Sequence, residues 1–135
     1  MRYFDSDTNS FWSTKVNFAD ENNVLVGYDF AGSCCEQFGW YIHDKVTKNG
    51  GGALFNENTD RTAVNQSLKD WTFDTSFFQE LEEGAHGCDV HRTAVFRLVN
   101  EDNELFLHLF NDHNGYYGHG FDFSVDEKII KTGVL

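Results

Sequence analysis

The chain reads as mainly β (α+β), a single compact domain over residues 1–135 built from antiparallel hairpins with one short helix. Three observations predict this. Apolar and polar residues alternate with period two in most apolar stretches, the pattern of half-buried strands. Fourteen Phe, five Tyr and three Trp supply large side chains that favour pleated surfaces. Proline is absent, so no segment is barred from a central strand on that ground.

From Ser10 to Phe18, Trp12, Thr14, Val16 and Phe18 alternate with Phe11, Ser13, Lys15 and Asn17. Asp20-Glu21-Asn22-Asn23 is turn-forming, and Val24 to Phe30 completes a hairpin. Ala31-Gly32-Ser33 breaks the pattern before a third strand, Phe38 to His43. Asn49 to Gly52 holds three consecutive glycines and reads as a loop. Asn56 to Gln66 is polar and weakly patterned, and Leu68 to Phe73 reads as a short strand. Asp74 to Glu83 reads as the helix, with Asp74 as N-cap and Gly84 just past its end. Gly84 to Asp89 follows as a loop.

Thr93 to Asn100, Glu104 to Phe110 and Tyr116 to Phe123 read as a C-terminal three-stranded meander. The last two runs flank Asn114-Gly115, which suits a type I′ turn and is the strongest short-range hairpin signal in the chain. Glu127 to Leu135 reads as a tail or an edge strand. With Asn114-Gly115 as a two-residue loop, Phe110 is expected to face His119, His108 to face Phe121, and Phe106 to face Phe123. With Asp102-Asn103 as the preceding turn, Arg97 faces His108, Phe96 faces Leu109 and Leu98 faces Leu107.

This register predicts two faces. Ala94, Phe96, Leu98, Leu105, Leu107 and Leu109, with Gly118 and Gly120, form an apolar core face. Val95, Arg97, Val99, Phe106, His108, Phe110, His119, Phe121 and Phe123 form the other. A surface so aromatic must be covered. The plainer expectation is a second core, covered by the helix or the N-terminal hairpin with its polar groups satisfied. The sharper one is a ligand cleft in which Arg97, His108 and His119 meet an anion or a metal.

The net charge of −12, from 22 acids and 10 bases, argues against direct nucleic-acid binding, which depends on Lys and Arg neutralising phosphates. Solubility alone accounts for such a charge. It also suits docking on a basic partner through an acidic surface, for which Asp70, Asp74, Glu80, Glu82, Glu83, Glu101, Asp102 and Glu104 are the candidates. No stretch reaches membrane-spanning length, and MRYFDSDTNSFW has no apolar leader core. With an odd count of three cysteines, two of them adjacent, the expectation is free thiols in a reducing cytoplasm.

Cys34, Cys35 and Cys88 with His86 and His91 contain the residue types that bind zinc, but no Cys-x-x-Cys pair closes a structural site, so the expectation is no cofactor, with zinc as the alternative. A thiol nucleophile at Cys34 or Cys35 needs a base in reach and a lowered pKa, neither of which the sequence displays. A small hydrolytic or thiol enzyme is therefore the remaining alternative. Asp5-x-Asp7-x-Asn9 opens like a calcium loop but lacks its later glycine and glutamate, and reads as a solvated N-terminal segment.

Three segments carry a family likeness: VNFADENNVLVGYD, CCEQFGWYI and LHLFNDHNGYYGHGF. On these the chain resembles a family of small uncharacterised proteins of bacteria and their phages. The likeness covers the first 45 residues and the last 35 or so, and it implies no catalytic residues. It implies a phage or mobile-element setting. With the charge, it points to a non-enzymatic acidic binding protein that docks on a basic host defence or nucleic-acid-handling protein, as an anti-CRISPR-type inhibitor or DNA mimic. The alternative is a small-ligand or metal-binding domain.

Overall fold

A computed structural model describes residues 1–7, 14–30, 37–84, 90–113 and 118–135. In chain order its elements are β1 (Arg2–Asp7), β2 (Thr14–Ala19), β3 (Val24–Asp29), β4 (Gln37–His43), β5 (Phe55–Asn56), α1 (Arg61–Ser67), β6 (Thr72–Phe73), β7 (Gln79–Gly84), β8 (Val90–Asn100), β9 (Asn103–His113), β10 (Gly120–Val125) and β11 (Lys128–Val134). The fold is mainly β and every strand pairing is antiparallel. One sheet has the order β1-β2-β3-β10-β11. The other runs β5-β4-β9-β8-β6, with β7 also paired to β8.

The two sheets face each other through aromatic rings. Trp40 of β4 lies edge-on to Tyr3 and Phe18 at 4.9 and 5.0 Å. Phe96 of β8 meets Phe121 and Phe123 of β10 at 6.0 and 5.1 Å. These rings are buried, and each such side chain stabilises the fold by roughly 1.5–3 kcal/mol relative to exposure. The Tyr28 hydroxyl ties the sheets by donating to the Phe110 carbonyl at 2.7 Å.

Strands β2, β3, β4, β8 and β9 follow the alternation of the sequence. The hairpin β2–β3 turns at Asp20–Asn23, where Asn23 takes a φ of 61°. Asp20 organises it: Oδ1 accepts from the amides of Asn22 and Val24, and Oδ2 accepts from Phe73 N of the facing sheet at 2.8 Å. The tail reading of Glu127 to Leu135 resolves to edge strand β11. A two-residue turn with positive φ at both Asp126 and Glu127 joins it to β10.

The expected meander is corrected. β8 and β9 form a hairpin, but β9 has β4 as its other neighbour, and β10 lies in the opposite sheet between β3 and β11. His119 therefore does not face Phe110, nor Phe121 His108, nor Phe123 Phe106. The physical reason is burial: in the opposite sheet, Phe121 and Phe123 point inward onto Phe96. Asn114-Gly115 lies outside the described residues.

The β8–β9 register also differs. Asn100 pairs with Asn103 around Glu101-Asp102, so Arg97 faces Phe106, Phe96 faces Leu107 and Leu98 faces Leu105. The shift is by two residues, which preserves the faces. Ala94, Phe96, Leu98, Leu105, Leu107 and Leu109 do line the core.

The helix is also elsewhere. Asp74 Oδ1 accepts from Ser76 N and Oγ, and Phe77 N bonds back to the Asp74 carbonyl. That closes a single turn, after which Gln79–Gly84 pairs along β8. An available strand edge outweighs the helix propensity of Gln, Leu and Glu, which amounts to tenths of a kcal/mol per residue. The helix α1 forms in the polar stretch before it. Asp60 caps it by accepting from Ala63 N, and Val64 and Leu68, one turn apart, are buried. The N-terminal segment is a strand, β1, rather than a solvated end: it pairs with β2 and stacks Tyr3 on Phe18 at 4.9 Å.

Candidate functional site

The outer face of the β4–β9–β8 sheet carries part of the mixed surface read from the sequence: Val95, Arg97, Val99, Phe106, His108 and Phe110, without His119, Phe121 and Phe123. His108, fully buried, sits opposite Tyr41 and Val95 and stacks on the Tyr41 ring at 4.3 Å. The cover over His108 is the loop after β4 rather than the N-terminal hairpin or the expected Asp74–Glu83 helix, although Phe77 of that segment does lie on Phe106 of this face, ring centroids 5.6 Å apart. Thr47 N donates to His108 Nε2 at 3.1 Å, so Nε2 carries no proton, and Nδ1 donates to the Phe106 carbonyl at 3.1 Å. The ring is thus held as one neutral tautomer. Burial, with a smaller contribution from nearby His43, pushes its pKa down to about 4.

Thr47 also meets the Tyr41 hydroxyl, which donates to the Thr47 carbonyl at 3.1 Å and lies within hydrogen-bond distance of Thr47 Oγ1. Burial raises the Tyr41 pKa against the opposing effect of Thr47. His43 is buried beside this group. Its Nδ1 lies 2.7 Å from Asp44 Oδ1, close but poorly aligned for a hydrogen bond.

The three residues of the expected anion cleft are not assembled. Arg97 shares the face of His108, but its guanidinium is turned to carboxylates: Nε donates to Glu104 at 2.8 Å and Nη1 to Asp74 at 2.9 Å. Those partners, Glu104 first, keep the guanidinium pKa above its ordinary value. The Asp74 carboxyl is held below its own, first by the Ser76 hydroxyl and then by Arg97. His119 belongs to the opposite sheet. It stacks on Phe38 at 3.9 Å, donates from Nδ1 to the Asp29 carbonyl, and pairs through its backbone with Leu135.

Of the zinc candidates, Cys34, Cys35, Cys88 and His86 lie outside the described residues. His91 sits on β8, with Nε2 3.2 Å from Thr93 Oγ1 and its ring against Phe110. Among the described residues no three His, Cys, Asp or Glu side chains group as metal ligands.

The acidic candidates follow one sheet edge. Asp70 precedes β6, Asp74 links β6 to β7, and Glu80, Glu82 and Glu83 stand on edge strand β7. Glu101 and Asp102 form the β8–β9 turn, and Glu104 follows it. All eight lie along β8 or at its end. Eleven residues at about 3.3 Å each make this edge on the order of 35 Å long. Some of its charge is internally paired: Glu83 with Lys48 at 2.9 Å, Glu82 with Arg92 at 3.7 Å, and Asp74 and Glu104 with Arg97. Asp70, Glu80, Glu101 and Asp102 are exposed and form no ion pair among the described residues.

Sequence reasoning missed Thr47, Asp44 and His43 as the surroundings of His108. The glycine run at 50–52 was the available signal, since it lets the loop lie close on Tyr41 and His43: a Cβ at Gly50 would come within 3.3 Å of the Tyr41 ring. No protein-family model, curated protein or solved structure matches the chain. No helix among the described residues is long and apolar enough to cross a membrane.

Proposed function

We propose that this is a non-enzymatic binding protein that docks its acidic sheet edge on a basic surface of a partner protein. The observation that carries the reading is the gathering of eight carboxylates along β8, β7 and the β8–β9 turn, with Lys48, Arg92 and Arg97 offsetting only part of their charge. Such an edge steers and orients a partner of opposite sign. It also keeps β7 from pairing with other strands, a role that charged edges serve in many sheets. The finer reading is an inhibitor of a host defence or nucleic-acid-handling protein in the cytoplasm, phage or mobile-element encoded and of the anti-CRISPR type, with carboxylates standing in for phosphates. The net charge and the resemblance of three segments to phage proteins support it.

The test compares the protein with a β7 charge-reversal variant, Glu80→Lys, Glu82→Lys and Glu83→Lys. All three residues are exposed, so the variant keeps its core. Each is immobilised and exposed to host lysate at low and high salt. A protein with a basic surface that is held at low salt, released at high salt and lost by the variant supports the reading. Equal retention by the variant, or no retention at low salt, overturns it.

A further inference from the structure

A second feature of the outer sheet face lies apart from the Arg97 ion pairs. Gly39 of β4 stands opposite Phe110 of β9, where the pleat points outward. Because position 39 has no side chain, the sheet is indented there. The Glu57 carboxylate enters the indentation: a Cβ on Gly39 would come within 2.9 Å of its carboxyl carbon and of Oε1. Tyr41 and Phe110 wall the space at 5.9 Å from each other, and His91 extends the wall beside Phe110. Gly50 and the Asn49 and Asn56 side chains complete a cleft of about 210 Å³.

We infer that this cleft binds an organic cation bearing a guanidinium group. Three features select the ligand. Glu57 has no hydrogen-bond or ion-pair partner among the described residues and presents both carboxylate oxygens over the backbone. A guanidinium matches such a fork with two parallel N–H donors, which an ammonium does not. The half-buried Phe110 ring on the cleft wall attracts a cation and allows a planar one to stack. Tyr41 is buried, with His108 stacked on its ring, and serves as a wall of the cleft rather than a stacking platform. The volume lies below the range of about 300–1,000 Å³ typical of drug-sized sites, so it takes a head group rather than an extended molecule. That head group has two sources, a free small cation or an arginine side chain of another chain.

The experiment is an NMR titration of the intact protein with three probes: agmatine, a capped Gly-Arg-Gly peptide, and butylurea as the uncharged analogue of the guanidinium group. Expected are saturable shifts at Gly39, Gly50, Tyr41 and Phe110 with a guanidinium probe and none with butylurea. Glu57→Gln should weaken binding by about tenfold through loss of the charge-assisted pair, and since Glu57 is exposed this variant folds. Phe110→Leu, which keeps apolar bulk without the π face, should weaken it by about threefold. Agmatine binding assigns the site to a free cation, and binding of the peptide alone assigns it to a side chain. Binding of neither, equal binding of butylurea, or unchanged binding in Glu57→Gln overturns the inference. Glu101→Lys with Asp102→Lys, at the β8–β9 turn of the acidic edge and away from the cleft, should bind as the parent does, which separates this site from that edge.

Discussion

Acidification should open the loop over the outer sheet face, and His108 sets where. In the folded protein Nε2 accepts from Thr47 N and Nδ1 donates to the Phe106 carbonyl, so both ring nitrogens are committed to the neutral form. A second proton would place an N–H against the Thr47 N–H. The folded pKa is about 4, against an ordinary value of 6.5. The unfolded chain therefore binds this proton first as pH falls. The stability is fully present above pH 6.5, declines between 6.5 and 4, and is lost below the folded pKa. At 1.36 kcal/mol per pKa unit, His108 costs the fold roughly 2–3 kcal/mol by pH 4.5. Urea unfolding at pH 7.5, 6.5, 5.5 and 4.5 measures this against His108→Gln, whose amide can accept and donate without titrating. The parent should lose roughly 2–3 kcal/mol more than the variant over that range. Equal losses, or an imidazole NMR titration with its midpoint near 6.5, would show that His108 is not held neutral by Thr47 and burial.

Further predictions concern the frame that holds this face. Phe96→Ala removes the ring between Phe78, Phe121 and Phe123 and should destabilise by about 3–5 kcal/mol in chemical denaturation. Asp20→Ala leaves the amides of Asn22, Val24 and Phe73 without their acceptor and should cost about 2 kcal/mol, with faster hydrogen exchange at Phe73 as the local sign. Glu127→Gly relieves a left-handed residue in the β10–β11 turn and should stabilise by roughly 0.5–1 kcal/mol, read as a rise in Tm.

The period-two alternation made β2, β3, β4, β8 and β9 legible in the sequence. It also separated the core leucines from His108 even though the β8–β9 register was two residues off, because parity survives such a shift. Parity cannot say which sheet a strand joins. Phe121 and Phe123 alternate identically beside β9 or beside β3, and only the packing of both rings on Phe96 decides. The β7 segment carries helix-favouring residues, and its pairing depends on a strand edge that forms from residues 90–95. Conversely, α1 shows itself in sequence only through Asp60 and the spacing of Val64 and Leu68. For the candidate site, the shared face of Arg97 and His108 was legible. Their partners Glu104, Asp74 and Thr47 were not, because the loops that supply Asp74 and Thr47 have no period to read. His119 was placed wrongly for the same reason as β10.

The acidic edge is tested most directly by a matched pair of charge reversals. One variant carries Glu80→Lys, Glu82→Lys and Glu83→Lys on β7. The other carries Asp7→Lys, Glu21→Lys and Glu127→Lys, three exposed residues outside that edge. Both change the net charge equally. Affinity for a lysine-rich peptide, whose ammonium groups the Glu57 cleft does not select, is measured for each by calorimetry at low salt. A docking edge at β7 requires that the β7 variant weaken binding by about tenfold and the control by less than about twofold. Equal weakening would mean that the peptide senses only net charge and would contradict a docking edge at β7.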